Sequence, residues 1–136
     1  MQTKKPFFMH KIFSGTVVKG LGKGKEFGFP TVNIRMNDNK LHIDTGVYAV
    51  KIIVDNQSYR GMLYVGTRPT LNLHEKTIEI HILEFDKNIY NEQILFEILH
   101  KIRDEIHFET VDKLIEQLHQ DREMVYNVNQ FKNLKI

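Results

Sequence analysis

Between Gly15 and Asn33 the chain reads GTVVKGLGKGKEFGFPTVN. Glycines alternate at Gly20, Gly22 and Gly24, with Lys19, Lys23 and Lys25 between or beside them. Glycine has no Cβ, so such a loop can bring backbone N–H groups against phosphate oxygens while the lysines supply countercharge. Gly28, Pro30, Thr31 and Asn33 follow at once. Thr31 and Asn33 are neutral oxygen donors two residues apart, a spacing that puts both on one face of a strand. Neutral oxygens beside a phosphate loop suit Mg2+, which takes few protein oxygens and fills its shell with phosphate and water. The stretch reads as a Mg–nucleotide site built without a helix. The plainer alternative is a solvated hairpin loop, and glycine and lysine alone would leave it ahead. The Gly28–Asn33 element tilts the balance towards a site.

Two better-known phosphate loops are excluded. A Walker A loop needs a second glycine five residues after the first, followed by lysine, and that position here is Lys25. A dinucleotide fingerprint needs a third glycine after Gly22 and Gly24, where the chain has Phe27.

A carboxylate stands further on in an otherwise apolar run, Ile78-Glu79-Ile80-His81-Ile82-Leu83-Glu84-Phe85. Alternation puts Glu79, His81, Leu83 and Phe85 on one face and Ile78, Ile80 and Ile82 on the other. A carboxylate sharing a face with Leu83 and Phe85 is partly desolvated, which makes it a better base. The alternative is an exposed strand carboxylate, and these residues alone favour it. His81 is a second possible base, but a packing or hydrogen-bonding histidine is preferred. The seven histidines show no metal-ligand spacing, and His74-Glu75 lacks the second histidine of a zinc helix. Arg68, in Gly66-Thr67-Arg68-Pro69-Thr70, reads as a cation on a second loop, and Arg103 reads as a surface arginine.

The elements that must hold these groups are mostly strands. Short runs rich in β-branched and aromatic residues span 12–19, 30–35, 46–54, 57–65, 77–85 and 94–102, with a tight turn at Asp55-Asn56; within the last run, Leu95-Phe96-Glu97-Ile98-Leu99 also fits a helix. The period then changes: Val111, Leu114, Ile115, Leu118 and Val125 recur at helical spacing. Thr110 is the expected N-cap and Asp112 favours the positive end of a helix over 111–126. Residues 127–136 form a polar tail. Six antiparallel strands and one terminal helix suggest a small closed barrel, because closure removes exposed edges.

Composition bounds the function. One domain covers residues 1–136, with its core at 12–126. Hydrophobic content is 41% and charged content 26%, ordinary for a soluble domain. A net charge of +2 gives no strong field towards nucleic acid or membrane. The absence of cysteine removes disulfides, thiolate catalysis and thiolate-bound zinc. No run approaches the ~18 apolar residues of a membrane helix. The cytosol is the default compartment.

The chain resembles the riboflavin kinase (flavokinase) family. The residues that carry the resemblance run in order: Gly15-x-Val17-x-x-Gly20-x-Gly22-x-Gly24, then Gly28-Phe29-Pro30-Thr31-x-Asn33, Asp44-Thr45-Gly46-Val47-Tyr48 and Val65-Gly66-Thr67-Arg68-Pro69-Thr70. They continue through Ile78-Glu79-Ile80-His81-Ile82-Leu83 to Arg103-Asp104-Glu105 and Phe108. The resemblance implies a mainly β fold, a six-stranded antiparallel Greek-key barrel with a C-terminal helix. It implies transfer of the ATP γ-phosphate to the ribityl 5′-hydroxyl of riboflavin, giving FMN and ADP. Glu79 would be the catalytic base. Gly20, Gly22, Lys23, Gly24, Lys25, Pro30, Thr31 and Asn33 would bind the nucleotide, with Thr31 and Asn33 on Mg2+. Arg68 and Arg103 would lie on the flavin side.

Lys25 stands where the family usually carries arginine, so charge is kept and bidentate geometry lost. In Asn88-Ile89-Tyr90-Asn91, Asn91 replaces a family glycine and tolerates the left-handed conformation. Riboflavin and ATP are the expected partners of a monomer. An adenylyltransferase domain, fused to this one in bacterial relatives, would need well over a hundred further residues, so FMN and not FAD is expected. A kinase-only protein and an excised C-terminal domain both fit. A non-enzymatic flavin- or nucleotide-binding barrel is the alternative. An oligonucleotide-binding barrel is disfavoured by the near-neutral charge and by aromatics that read as core.

Overall fold

A computed structural model of the chain describes residues 12–19, 25, 27–37, 42–69 and 74–128. Six strands form in chain order: β1 (Ile12–Val18), β2 (Val32–Met36), β3 (Gly46–Val54), β4 (Gln57–Pro69), β5 (His74–Ile82) and β6 (Gln93–Arg103). A helix, α1 (Val111–Tyr126), follows them. The strands close in the order β1-β2-β5-β4-β3-β6, with β6 pairing back onto β1, and every pair is antiparallel. β3, β4 and β5 are consecutive neighbours, and β6 returns to lie beside β3, which is a Greek key. The barrel and helix expected above are the architecture found.

Local chemistry explains the joints. β3 and β4 meet at Asp55 and Asn56, both with positive φ (50° and 65°), the two-residue turn whose twist matches the strands it joins. β3 starts at Gly46, at φ 148°, where a Cβ would stand 2.8 Å from the Arg103 carbonyl. Only glycine lets β6 approach there. Asn91 adopts φ 71°, so the turn keeps its form without glycine. That turn is tied to β1 from both sides: Asn91 N–H donates to the Val17 carbonyl at 2.9 Å and Val17 N–H to the Glu92 carbonyl at 3.0 Å.

The strands face two cores. Ile78, Ile80 and Ile82 fill the barrel interior with Val50, Ile52, Leu63, Ile94 and Phe96. A second core between barrel and helix joins Phe29, Val47, Ala49, Met62 and Leu83 to Leu118, Val125 and Val128. β3 and β4 are therefore apolar on both faces, which makes them read as continuous runs rather than alternating ones. Thr110 caps α1, its hydroxyl accepting from Lys113 N–H at 3.2 Å.

Three expectations need correction. Gly66–Pro69 is not a loop: it extends β4, pairing with His74–Thr77. Pro69 can sit there because it occupies a strand end. Phe85 leaves the face of Glu79 and packs on the interior core, because β5 ends at Ile82 and Glu84 turns the chain at φ 53°. Val111 is 53% exposed and lies outside the helix's buried stripe. Of the tail, Val128 is buried, and 129–136 lie outside the described residues.

Candidate active site

The approach to the site is a sharp turn. Gly28 takes φ 83° with open space where a Cβ would be, so conformation and not crowding asks for glycine. Its N–H donates to the Lys25 carbonyl at 3.2 Å. The next three residues are each held by side chains from other elements. The Phe29 ring is buried, in edge contact with the rings of His81 and His119 at centroid distances of 5.2 and 5.0 Å. The Pro30 carbonyl accepts a hydrogen bond from His81 Nδ1 at 2.7 Å. The Thr31 hydroxyl donates to Glu79 Oε1 at 2.9 Å.

β2 then carries Asn33 directly opposite Glu79 on β5, so their side chains share a face. The structure thus gathers Glu79 with Thr31 and Asn33, which the sequence pairs with each other but not with it, into one half-buried group of oxygens. The row continues around the barrel: Glu79 opposes Tyr64, Tyr64 opposes Val47, and Val47 opposes Arg103. All lie on the outer face of the barrel, against which α1 packs at β4 and β6.

Electrostatics differ along this row. Burial pushes the Tyr64 phenol far above its usual pKa, and the Asp121 and Glu79 carboxylates push the same way against Arg103. The Tyr64 hydroxyl donates to the Met62 thioether at 3.6 Å. Burial holds His81 below its ordinary value, opposed by its bond to Pro30, with the Arg122 charge lowering it further. A neutral His81 that donates through Nδ1 carries its proton there, leaving Nε2 as an acceptor.

Arg103 is not a surface arginine: its side chain is 14% exposed, because it pairs with the buried Asp121, and it is engaged on three sides. Its Nε and Nη2 donate to the two oxygens of Asp121, each at 2.8 Å, and its Nη1 to the Asp104 carbonyl at 3.2 Å. The guanidinium also lies 5.7 Å from the Phe108 ring centre. Arg68 pairs in register with Glu75 on the β4–β5 ribbon. Lys25 is exposed beside the Gly28 turn, while Gly20, Gly22, Lys23 and Gly24 lie outside the described residues.

Sequence reasoning missed Asp121 and the Phe29 contacts. Asp121 is wholly buried, three residues after Leu118 and four before Val125. A carboxylate on an apolar helical stripe was the available signal, because such a group needs a charged partner. Nothing in the Phe29 neighbourhood announces that His119 and Arg122 lie beside it.

Hard oxygen donors of this kind, a hydroxyl, an amide and one carboxylate on one face, fit a Mg2+ ion that is carried mainly by phosphates. Among the described residues no set of three or more His, Asp or Glu side chains could cage a metal. No described helix is long and apolar enough to cross a membrane.

The family model for flavokinase (riboflavin kinase) matches residues 8–129. An RNA-binding riboflavin kinase, RibR, from Bacillus subtilis is 41% identical over 112 residues, covering 81% of this chain and 47% of the relative. A bifunctional riboflavin kinase/FMN adenylyltransferase from Haemophilus influenzae is 38% identical over 115 residues, covering 84% of this chain and 37% of the relative. This chain thus spans less than half the length of these curated relatives. Among solved structures, one described as a macrolide-efflux protein from Streptococcus pneumoniae matches with a TM-score of 0.82 and 35% identity, over 87% of this chain and 39% of that one. Riboflavin kinase from Trypanosoma brucei matches with a TM-score of 0.62 over 88% of this chain and 79% of that one. At 20% identity that likeness is one of fold.

Proposed function

This chain belongs to the riboflavin kinase family, and from that premise we propose that it transfers the γ-phosphate of ATP to the 5′-hydroxyl of riboflavin, giving FMN and ADP. The observation that supports the reading most directly is the Thr31–Glu79 hydrogen bond with Asn33 opposite Glu79. It sets a base beside neutral oxygens suited to a metal-bound polyphosphate.

The chemistry needs little from the protein beyond placement and charge. Glu79 accepts the proton of the 5′-hydroxyl as that oxygen forms its bond to the γ-phosphorus. The bond between that phosphorus and the β–γ bridging oxygen breaks, and the electron pair leaves with ADP. A Mg2+ ion, when bound with ATP, spreads the charge of the phosphates. Thr31 spends its proton on Glu79, which leaves its oxygen lone pairs free for a cation. Asn33 supplies an amide oxygen from the same face. Gly20, Gly22, Lys23, Gly24, Lys25 and Pro30 complete the nucleotide side in this proposal. Arg68 and Arg103 belong to the flavin side, Arg103 by holding the segment 104–108. The chain acts as a cytosolic monomer.

The test is product chromatography after incubation with riboflavin, ATP and Mg2+. FMN without FAD is expected. No FMN at all would leave a binding module and end the kinase reading.

A further inference from the structure

We propose that helix α1 and strand β5 together clamp Phe29-Pro30-Thr31 as part of the nucleotide-binding machinery, through three positioning residues: His81 on β5 and His119 and Arg122 on α1. The inference rests on the reading of Thr31 and Asn33 as the Mg–nucleotide side.

The argument begins with what the turn lacks. Pro30 has no N–H, and Phe29-Pro30-Thr31 lies outside any strand, so this segment makes no ladder of its own. Yet Thr31 must be held to a fraction of an ångström if its oxygen is to meet a cation. Side chains do the holding. His81 Nδ1 donates to the Pro30 carbonyl at 2.7 Å from within the same strand that carries Glu79. One strand therefore grips two successive residues of the turn, Pro30 by His81 and Thr31 by Glu79.

Phe29 is gripped from the other side. The Arg122 guanidinium stands 4.9 Å from the Phe29 ring centre, and the His119 ring meets it edge-on. Arg122 Nη2 lies 3.0 Å from His119 Nδ1. Arginine can only donate, so His119 Nδ1 accepts, and the pair forms a braced unit on one face of α1. Arg122 over an aromatic face is an attractive arrangement in its own right. Phe29 is thus a ring enclosed by His81, His119 and Arg122, whose hydrogen bonds run to the Pro30 carbonyl and between His119 and Arg122.

A clamp of this kind predicts a split that a stabilising role would not. Its loss should weaken Mg-ATP binding while leaving riboflavin binding and saturated turnover near the parent values. The measurement is calorimetric titration of Mg-ATP into the full chain, with steady-state KM and kcat for both substrates. His81→Leu removes the donor. The KM for Mg-ATP should rise about two- to tenfold, the worth of one net hydrogen bond. His81→Asn keeps an N–H near the Nδ1 position and should restore most of the loss. Arg122→Ala, on a partly exposed helix face, should weaken Mg-ATP binding about two- to fivefold with little change in Tm.

Equal Mg-ATP affinity in His81→Leu and the parent overturns the clamp. So does failure of His81→Asn to outperform His81→Leu, or a change confined to riboflavin. If His81→Leu does not fold, Arg122→Ala decides alone: unchanged Mg-ATP binding rejects the clamp. A parent chain that binds no Mg-ATP ends the functional reading itself, and the clamp with it.

Discussion

The Thr31 hydroxyl donates to the Glu79 carboxylate at 2.9 Å, across 48 residues of sequence. One hydrogen bond therefore joins the proposed metal side of the site to the proposed base. It orients the carboxylate, and it decides which way the hydroxyl's lone pairs point.

Glu79→Gln should keep the fold and both ligands but lose most turnover. Glutamine still accepts the Thr31 hydrogen bond through its amide oxygen, but it cannot take a proton. General-base help is worth about 10²–10⁴-fold in rate. Single-turnover rates at saturating riboflavin and Mg-ATP provide the check. A variant within a few-fold of the parent would mean that another group is the base.

Asn33→Ala should act on the metal–nucleotide complex. The side chain is half-buried and faces Glu79 across the β2–β5 pair. Mg-ATP affinity should fall at least about tenfold, as it does when the oxygens around a bound metal are disturbed. Riboflavin affinity, read by quenching of flavin fluorescence, should stay unchanged. A fall in flavin affinity instead would remove Asn33 from the metal.

How much of this was legible in the chain differs by element. The Ile78-Ile80-Ile82 alternation pointed into the barrel because a two-residue period survives in any half-buried strand. The helix limits followed from Thr110 and the change of period, both local signals. β4 was cut short because Gly66 and Pro69 carry turn chemistry, and only their pairing with Thr77 and His74 makes them strand. Thr31 and Asn33 read as a pair in the sequence, and Glu79 apart from them. Their meeting is a property of strand order, β2 beside β5, which no local pattern encodes.

Asp121 and Arg103 should dominate the stability of the helix contact. Asp121 is fully buried, the Arg103 side chain is 14% exposed, and the two make a two-point pair. Gln117 adds a third hydrogen bond to Asp121 at 3.0 Å. Asp121→Ala strands a buried guanidinium, and breaking such a pair costs about 3–5 kcal/mol. Urea unfolding gives the value. Asp104→Ala, which removes an exposed partner of Lys101, is the control and should leave the midpoint where it was. Equal effects from the two would show that burial of the pair is not what counts.

His81 should make stability fall in mild acid. Burial lowers its pKa below the ordinary 6.5. Over the window between the two values the unfolded chain binds more protons than the folded one, so stability rises with pH. The contribution is complete above about 6.5 and is lost as pH drops below it towards the depressed folded value. Thermal midpoints taken from pH 7.5 down to 5 should decline, and His81→Asn should flatten the upper part of that decline. A parent whose midpoint does not change over this range would mean that His81 titrates as in water.

The Asp55–Asn56 turn offers a handle on the molecule. Val47 sits in the cross-strand row that contains Glu79, and Val54 closes the hairpin at the other end of β3. Val54 lies seven residue steps beyond Val47, so the turn stands roughly 23 Å from that row at ~3.3 Å per residue. Both turn residues are exposed. A fluorophore, an affinity tag or a surface tether attached there would report on the barrel or immobilise it while the reacting end stays open to solution.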